Sequence, residues 1–168
     1  MQQLGSNWRG MSAMDLKAVE QIAGVVHPGF FERPDVLAEK RQLYPNGAHV
    51  FEVNERPAGY VLSHPWHARA VPALDALLHA IPADADTYYL HDLALLPVAR
   101  RIGAARFMVR TLARHALARG FATMSLVAVN GSEGFWAKQG FVAQNIPELT
   151  GKLLTYEEGA RYMVRELA

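Results

Sequence analysis

The sequence contains no cysteine, which excludes disulfides, thiolate metal sites and a cysteine nucleophile together. It also lacks a long apolar run. No stretch approaches the ~20 apolar residues of a membrane span, and the opening MQQLGSNWRG has no apolar core of the kind a secretion signal carries. An excess of one charge is missing as well. Seventeen basic and sixteen acidic residues leave a net charge of +1, so bulk charge points to neither nucleic acid nor a membrane as partner. Metal-ligand spacing is absent too: His64, His67 and His79 form no His-x-x-x-His pair and have no carboxylate set beside them, so no metal is expected. Internal repeats and low-complexity tracts are not found. These absences leave a cytoplasmic protein as the default expectation. What remains is an ordinary globular composition, 51% hydrophobic and 20% charged over 168 residues. Residues 1–168 are expected to form one domain that buries about 70% of its unfolded surface.

The most informative stretch runs from Tyr88 to Leu117. An apolar run (Leu90, Leu93, Ala94, Leu95, Leu96) stops at Pro97, and a basic, small-residue turn follows from Arg100 to Ala105. The pattern then takes a helical period, with Ala105, Val109, Leu112 and Ala116 on one face. Strand, small-residue turn and helix point free N–H groups and a helix dipole at an anion. Gly103 and Ala105 keep the mouth of that helix clear, while Arg106, Arg110 and Arg114 continue the positive charge at four-residue spacing. The turn is not a P-loop, since no Gly-Lys-Ser/Thr follows, and it lacks the three-glycine spacing of a dinucleotide fingerprint. Two readings stand at this point: a pyrophosphate site, or an ordinary turn beside a solvated arginine face.

Elsewhere the chain alternates helix and strand patterns. Trp8 to Met11 reads as a short first strand, and Ser12 with Asp15 three residues on is a helix start. Leu16, Val19, Ile22, Ala23 and Val26 carry the stripe of that helix, which His27-Pro28-Gly29 ends. Pro34 opens a second helix to Leu43. His49–Val53 and Ala58–His64 form a hairpin around a four-residue loop, Asn54 to Pro57. Val71 to Ile81 reads as a helix with Leu74, Leu77, Leu78 and Ile81 on one side; the segment around it either lines a pocket or merely caps the core. Ala122–Val129 is a buried-type strand, parallel to the one before because a helix joins them. Gly131 to Gln139 is a short helix closed by Gly140, Phe141–Gln144 a strand, Ile146–Gly159 mostly connection, and Tyr162–Leu167 a last strand. The fold class is α/β: a twisted, mixed central sheet with helices on both faces.

Arg100-Arg101-Ile102-Gly103-Ala104-Ala105 resembles the Arg/Gln-x-x-Gly-x-Gly/Ala signature of the GNAT superfamily of N-acetyltransferases. Asn130 and the segment Phe135-Trp136-Ala137-Lys138-Gln139-Gly140-Phe141 resemble that family's Asn…Phe-Tyr-x-Lys-x-Gly-Phe ending. The resemblance implies a GNAT-like fold with acetyl-CoA as co-substrate. The N–H groups of residues 100–105 would bind its pyrophosphate, the backbone of Leu93, Ala94 and Leu95 its pantetheine arm, and Asn130 would hydrogen-bond the same arm. Asn130 also reads as a plain turn residue ending a strand. The implied activity is transfer of acetyl to a primary amine of a small molecule, with a protein N-terminus or lysine as less favoured acceptors. Dimers are frequent in the superfamily, and a homodimer rests on that analogy alone.

Moving an acetyl group from a thioester to an amine needs a neutral amine, a donor for the oxyanion and a departing thiolate. An alkyl amine with pKa ~10.4 is mostly protonated at neutral pH, so a positioned base, often acting through a water, is useful. Strict alternation puts Tyr89, His91, Leu93 and Leu95 on one face of the strand and Asp92 and Ala94 on the other. His91 is the only group there of a residue type whose unperturbed pKa, ~6.5, suits base work at neutral pH. The spacing resembles His-x-His-x-Leu-Ala-Val of the arylalkylamine acetyltransferases, with Tyr89 in place of the first histidine. Tyr89 is a poor base but a fair relay. His91 reads either as base or relay, or as a hydrogen-bonded histidine filling space. Asp92 is the reserve candidate, turned inward if the strand carries the bulge that this family shows. Trp136 stands where many members carry a tyrosine thought to protonate the thiolate. An indole N–H cannot pass a proton, and a thiol with pKa ~8.5 can leave without one. Trp136 is therefore expected to pack beside the thioester. With no cysteine, the amine is expected to attack directly. The rivals are a catalytically weak acyl-CoA-binding sensor and an enzyme using a longer acyl-CoA.

Overall fold

The computed structural model describes residues 5–168. In chain order they form β1 (Ser6–Gly10), α1 (Leu16–Val26), α2 (Pro34–Leu43), β2 (Ala48–Val53), β3 (Arg56–Trp66), β4 (Thr87–Leu95), α3 (Ala104–Ala118), β5 (Thr123–Ala128), α4 (Glu133–Lys138), β6 (Val142–Ala143), α5 (Thr150–Leu154) and β7 (Arg161–Glu166). The strands make one mixed sheet in the order β1-β2-β3-β4-β5-β7-β6. Neighbours run antiparallel except β4 and β5, which α3 joins as a parallel pair.

Two helical layers cover the sheet because successive strand residues point to opposite faces. On one side Val19 and Ile22 of α1 and Leu37 of α2 pack on Val50, Tyr60, Leu62 and Ala94. On the other, Met108, Val109, Leu112 and Ala116 of α3 pack on Val61, Tyr88, Leu90, Met124 and Leu126. The expected start of α1 is present. The Asp15 carboxylate accepts from the Ser12 N–H at 2.7 Å, and Arg9 grips the same carboxylate at 2.7 and 2.8 Å. Those Arg9 hydrogen bonds outweigh burial and hold the Asp15 carboxyl at about 2.

Four expectations about elements are corrected. The hairpin turn is two residues, not four. Asn54 and Glu55 both take left-handed φ, 53° and 65°, which matches the twist of the flanking strands, so Arg56 and Pro57 belong to β3. Val71 to Ile81 is not a helix. Asp75 and His79 have φ of 54° and 68°, and the N–H groups of Asp75, Leu78 and His79 go to the carboxylates of Glu32 and Glu39 instead of to main-chain carbonyls one turn back. The segment from Ile146 to Gly159 holds α5 after a 3₁₀ turn at Pro147–Leu149, seated through Ile146, Leu149 and Leu153 on Tyr162. The strand expected at Phe141–Gln144 keeps pairing at Val142 and Ala143.

Candidate active site

β4 and β5 pair at Tyr88 with Met124 and at Tyr89 with Ser125, and not beyond. From there the strands part, and Leu93, Ala94 and Leu95 keep β3 on one edge with no strand among the described residues on the other. A cleft of about 670 Å³ opens at this fork. Its walls include Leu93 and Leu95, the turn before α3, Asn130 and Trp136.

The turn before α3 is open. After the 3₁₀ turn at Pro97–Ala99, Arg101 and Gly103 take left-handed φ of 64° and 80°, and α3 begins at Ala104. Among the described residues, the N–H groups of residues 101 to 106 have no main-chain or side-chain acceptor, and the first bond of the helix is Phe107 N–H to Gly103 O at 2.9 Å. A β-carbon at Gly103 would meet nothing within 4 Å. Arg101, Ile102 and Gly103 are exposed, while Arg100 donates from Nε to Leu95 O at 2.9 Å and so ties the turn to β4. Trp8 of β1 anchors the helix start from behind, its Nε1–H donating to Ala104 O at 3.0 Å. Ala105 and Arg106 line the cleft, whereas Arg110 and Arg114 sit exposed along the helix outside it. Unpaired amides at a helix start, flanked by arginine, suit a phosphate group.

β4 carries a bulge that corrects the expected facing of its side chains. Leu62 pairs with Asp92 and Ser63 with Leu90, leaving His91 without a cross-strand partner. Two consecutive residues therefore turn the same way. Tyr89, His91, Asp92 and Ala94 face the α1–α2 side, and Tyr88, Leu90, Leu93 and Leu95 face α3 and its turn. Leu93 and Leu95 do not share a face with His91, and Asp92 does.

Each of the two polar residues at the bulge has a partner on the α1–α2 side. Glu32, from the loop between α1 and α2, holds His91 through a 2.8 Å bond between Oε1 and Nε2, with the two side chains 6% and 3% exposed. Burial would push the Glu32 carboxyl up, but the charge and hydrogen bond of His91 and the charge of Lys40 hold it at about 2. Asp92 accepts a hydrogen bond from the Tyr60 hydroxyl and lies 2.9 Å from Nε2 of His27, the residue that closes α1. Burial would lower the His27 imidazole, and the Asp92 hydrogen bond and charge raise it overall. Tyr89 is fully enclosed. Burial, then Tyr156 beside it, push its hydroxyl well above the ordinary tyrosine value, which leaves it a hydrogen-bond group and not a base.

Asn130 takes φ of 56°, its N–H donating to Glu157 at 2.8 Å, so it is a turn residue that also lines the cleft. Trp136 is buried and packs edge-on against Phe135 and Phe141. Sequence reasoning missed Glu32, His27 and Tyr156, all of which line the cleft. Tyr156 donates to Pro72 O and pins the coil whose Leu74 lines the cleft. Among the described residues no three His, Asp or Glu side chains gather as a metal would need.

The sequence model described as the acetyltransferase (GNAT) family matches residues 16–141. A comparison with curated proteins finds no match in sequence. Among solved structures, the GNAT-like decarboxylase GphF in complex with isobutyryl-CoA is similar over 96% of this chain and 100% of its own, with a TM-score of 0.82 at 15% identity. The ribosomal-protein-S18-alanine N-acetyltransferase from Escherichia coli covers 98% of this chain and 95% of its own, with a TM-score of 0.66 at 15% identity. N-acetylglutamate synthase from Neisseria gonorrhoeae, complexed with coenzyme A and N-acetyl-glutamate, covers 99% of this chain and 36% of its own, with a TM-score of 0.68 at 15% identity. At such identities the likeness speaks for the fold, while the family model spans well over half of the sequence. The chain belongs to the acetyltransferase (GNAT) family.

Proposed function

We propose that this protein is an N-acetyltransferase that moves acetyl from acetyl-CoA directly to a primary amine of a small-molecule acceptor. The observation that carries the reading is the row of amides at residues 101 to 106, unpaired among the described residues, in the turn that borders the cleft beside the free edge of β4. That donor set fits a pyrophosphate followed by an extended amide-bearing arm: the turn takes the anion, Arg101 and Arg106 add charge, and Leu93 to Leu95 offer main-chain groups. Coenzyme A or an acyl-CoA is bound in two of the similar structures, which supports the same class of co-substrate here. Acetyl-CoA, when bound, supplies the activated acyl group.

The rest of the work falls to the chain. His91 serves as base through a water, with Asp92 beside it as the reserve, and Tyr89 keeps its proton and acts as a hydrogen-bond relay. Trp136 closes the wall at the far side without donating a proton. A small acceptor is favoured because the coil that lines the cleft through Leu74 is bound to the loop before α2 by Glu32, to α2 by Glu39, and to the α5 side by Tyr156. A protein N-terminus or a lysine would need that coil to move.

Thiol release from acetyl-CoA, measured across a panel of small amines and short peptides, tests the reading. Release that depends on a small amine supports it. Tight acetyl-CoA binding with no release on any amine replaces it with an acyl-CoA sensor, and no binding of acetyl-CoA removes both.

A further inference from the structure

Glu32 lies 59 positions before His91, yet its carboxylate joins three parts of the site. Oε1 meets Nε2 of His91 at 2.8 Å. Oε2 accepts from the N–H of Asp75 in the 71–81 coil at 3.3 Å and lies 3.9 Å from the Lys40 ammonium of α2. An ionised carboxylate accepts hydrogen bonds and donates none, so the imidazole nitrogen facing it must carry the hydrogen. The second nitrogen, Nδ1, is buried and has no hydrogen-bond partner among the described residues.

We infer that Glu32 is a positioning residue for His91: it fixes the imidazole with Nε2–H turned to Oε1 and leaves the lone pair on Nδ1. The inference rests on the reading of His91 as base. A proton leaving the attacking amine passes through the water to Nδ1, the imidazolium charge then lies against the Glu32 carboxylate, and release of that proton to solvent restores the neutral ring. No group is consumed. The other titratable groups around the ring are Lys40 of α2, His64 of β3 at 6.2 Å between ring centres, Tyr89 at 6.2 Å, and Asp92 next in β4. His64 is buried and held neutral, and Asp92 is engaged with Tyr60 and His27, which leaves Glu32 as the carboxylate in contact with the ring. Lys40, itself 1% exposed, lies 3.9 Å from Oε2 and helps lower the Glu32 carboxyl, while burial lowers its own ammonium.

The test uses the ligand-free chain and then the enzyme. Nitrogen-15 spectra of the histidine rings should show neutral His91 protonated at Nε2. A wild-type ring protonated at Nδ1 overturns the inference without any variant. In Glu32→Gln the amide oxygen can still accept from Nε2–H but the charge is gone, so a proton at Nδ1 is held less tightly and the acidic limb of the kcat/KM profile should move to lower pH. Glu32→Ala should lose the single tautomer. If His91→Gln abolishes turnover while Glu32→Gln leaves the acidic limb in place, the positioning role is wrong and the base reading survives. If His91→Gln keeps a normal profile, the base reading fails, and the spectra still report whether Glu32 holds the ring.

Discussion

Gly59 of β3 sits against Leu95 of β4 so closely that a β-carbon there would meet Leu95 Cδ2 at 2.4 Å and the Ala94 carbonyl oxygen at 2.9 Å. The pair is in register, so the contact presses on the part of β4 whose other edge is free. Gly59→Ala is therefore expected to shift Ala94 and Leu95, lower stability by about 1–3 kcal/mol and weaken acetyl-CoA binding. Thermal melts with titration calorimetry check both. Gly24→Ala is the control, because a β-carbon on that exposed helical position meets nothing and should be neutral or stabilising by up to ~1 kcal/mol. Unchanged coenzyme affinity in Gly59→Ala would detach the free edge of β4 from binding.

Gly103 tests the turn. Its φ of 80° is costly for any other residue, by about 1–2 kcal/mol, although the space around it is open. Gly103→Ala should remain folded with that modest loss and bind coenzyme A at least ~10-fold more weakly, because the left-handed turn that exposes the amides relaxes toward ordinary φ. Titration of coenzyme A decides it. Full affinity in a folded Gly103→Ala would place the pyrophosphate elsewhere.

The turn and its flanks were legible because their meaning is local. Six consecutive residues carry the small-residue opening and the charge, and the stripe of α3 follows at helical period. Strand order near the site was legible for the same reason, since a helix between two strands makes them parallel. The facing of His91 and Asp92 was not. A single extra residue in β4 opposite Leu62 and Ser63 cancels the alternation that any period-two reading assumes. The coil at 71–81 misled through its leucines, which have helical spacing although its amides are bound by carboxylates from α2 and the loop before it. No local pattern marks Glu32 as the partner of His91. It is one acidic residue between Phe31 and Arg33, and its role exists only once the loop after α1 is folded over the bulge.

His64 gives the chain an acid-sensitive core. Burial lowers its imidazole to about 3, and its Nδ1 contact with the Pro65 carbonyl only partly offsets that. In the unfolded chain the ring titrates near ~6.5. The folded state therefore binds fewer protons between those values, so this stability is complete above pH ~6.5 and declines as pH falls, by up to ~1.4 kcal/mol per unit from this group alone. Glu32, held at about 2, adds a loss that begins below its unfolded value near ~4.5. Urea unfolding from pH 8 to 4 should show the first decline starting near 6.5, and His64→Gln should flatten it. A wild-type stability that stays level from pH 7 to 5 contradicts the buried neutral ring.

Trp136 separates packing from proton transfer. The indole is 8% exposed, in edge contact with Phe135 at 4.9 Å and Phe141 at 5.6 Å, and it borders the cleft. Truncation to alanine removes a large core side chain and should destabilise the protein by about 3–5 kcal/mol, seen as a lowered melting temperature. Trp136→Phe keeps the packing and removes the N–H. If the thiolate leaves unaided, as a group with pKa ~8.5 can, the phenylalanine variant should turn over within a few-fold of the wild type, with an unchanged alkaline limb. Trp136→Tyr is the decisive variant. A phenol at this position that raises kcat by ~10-fold or more would mean that departure of the thiolate limits the rate and that a proton donor helps it, against the unaided leaving group argued above.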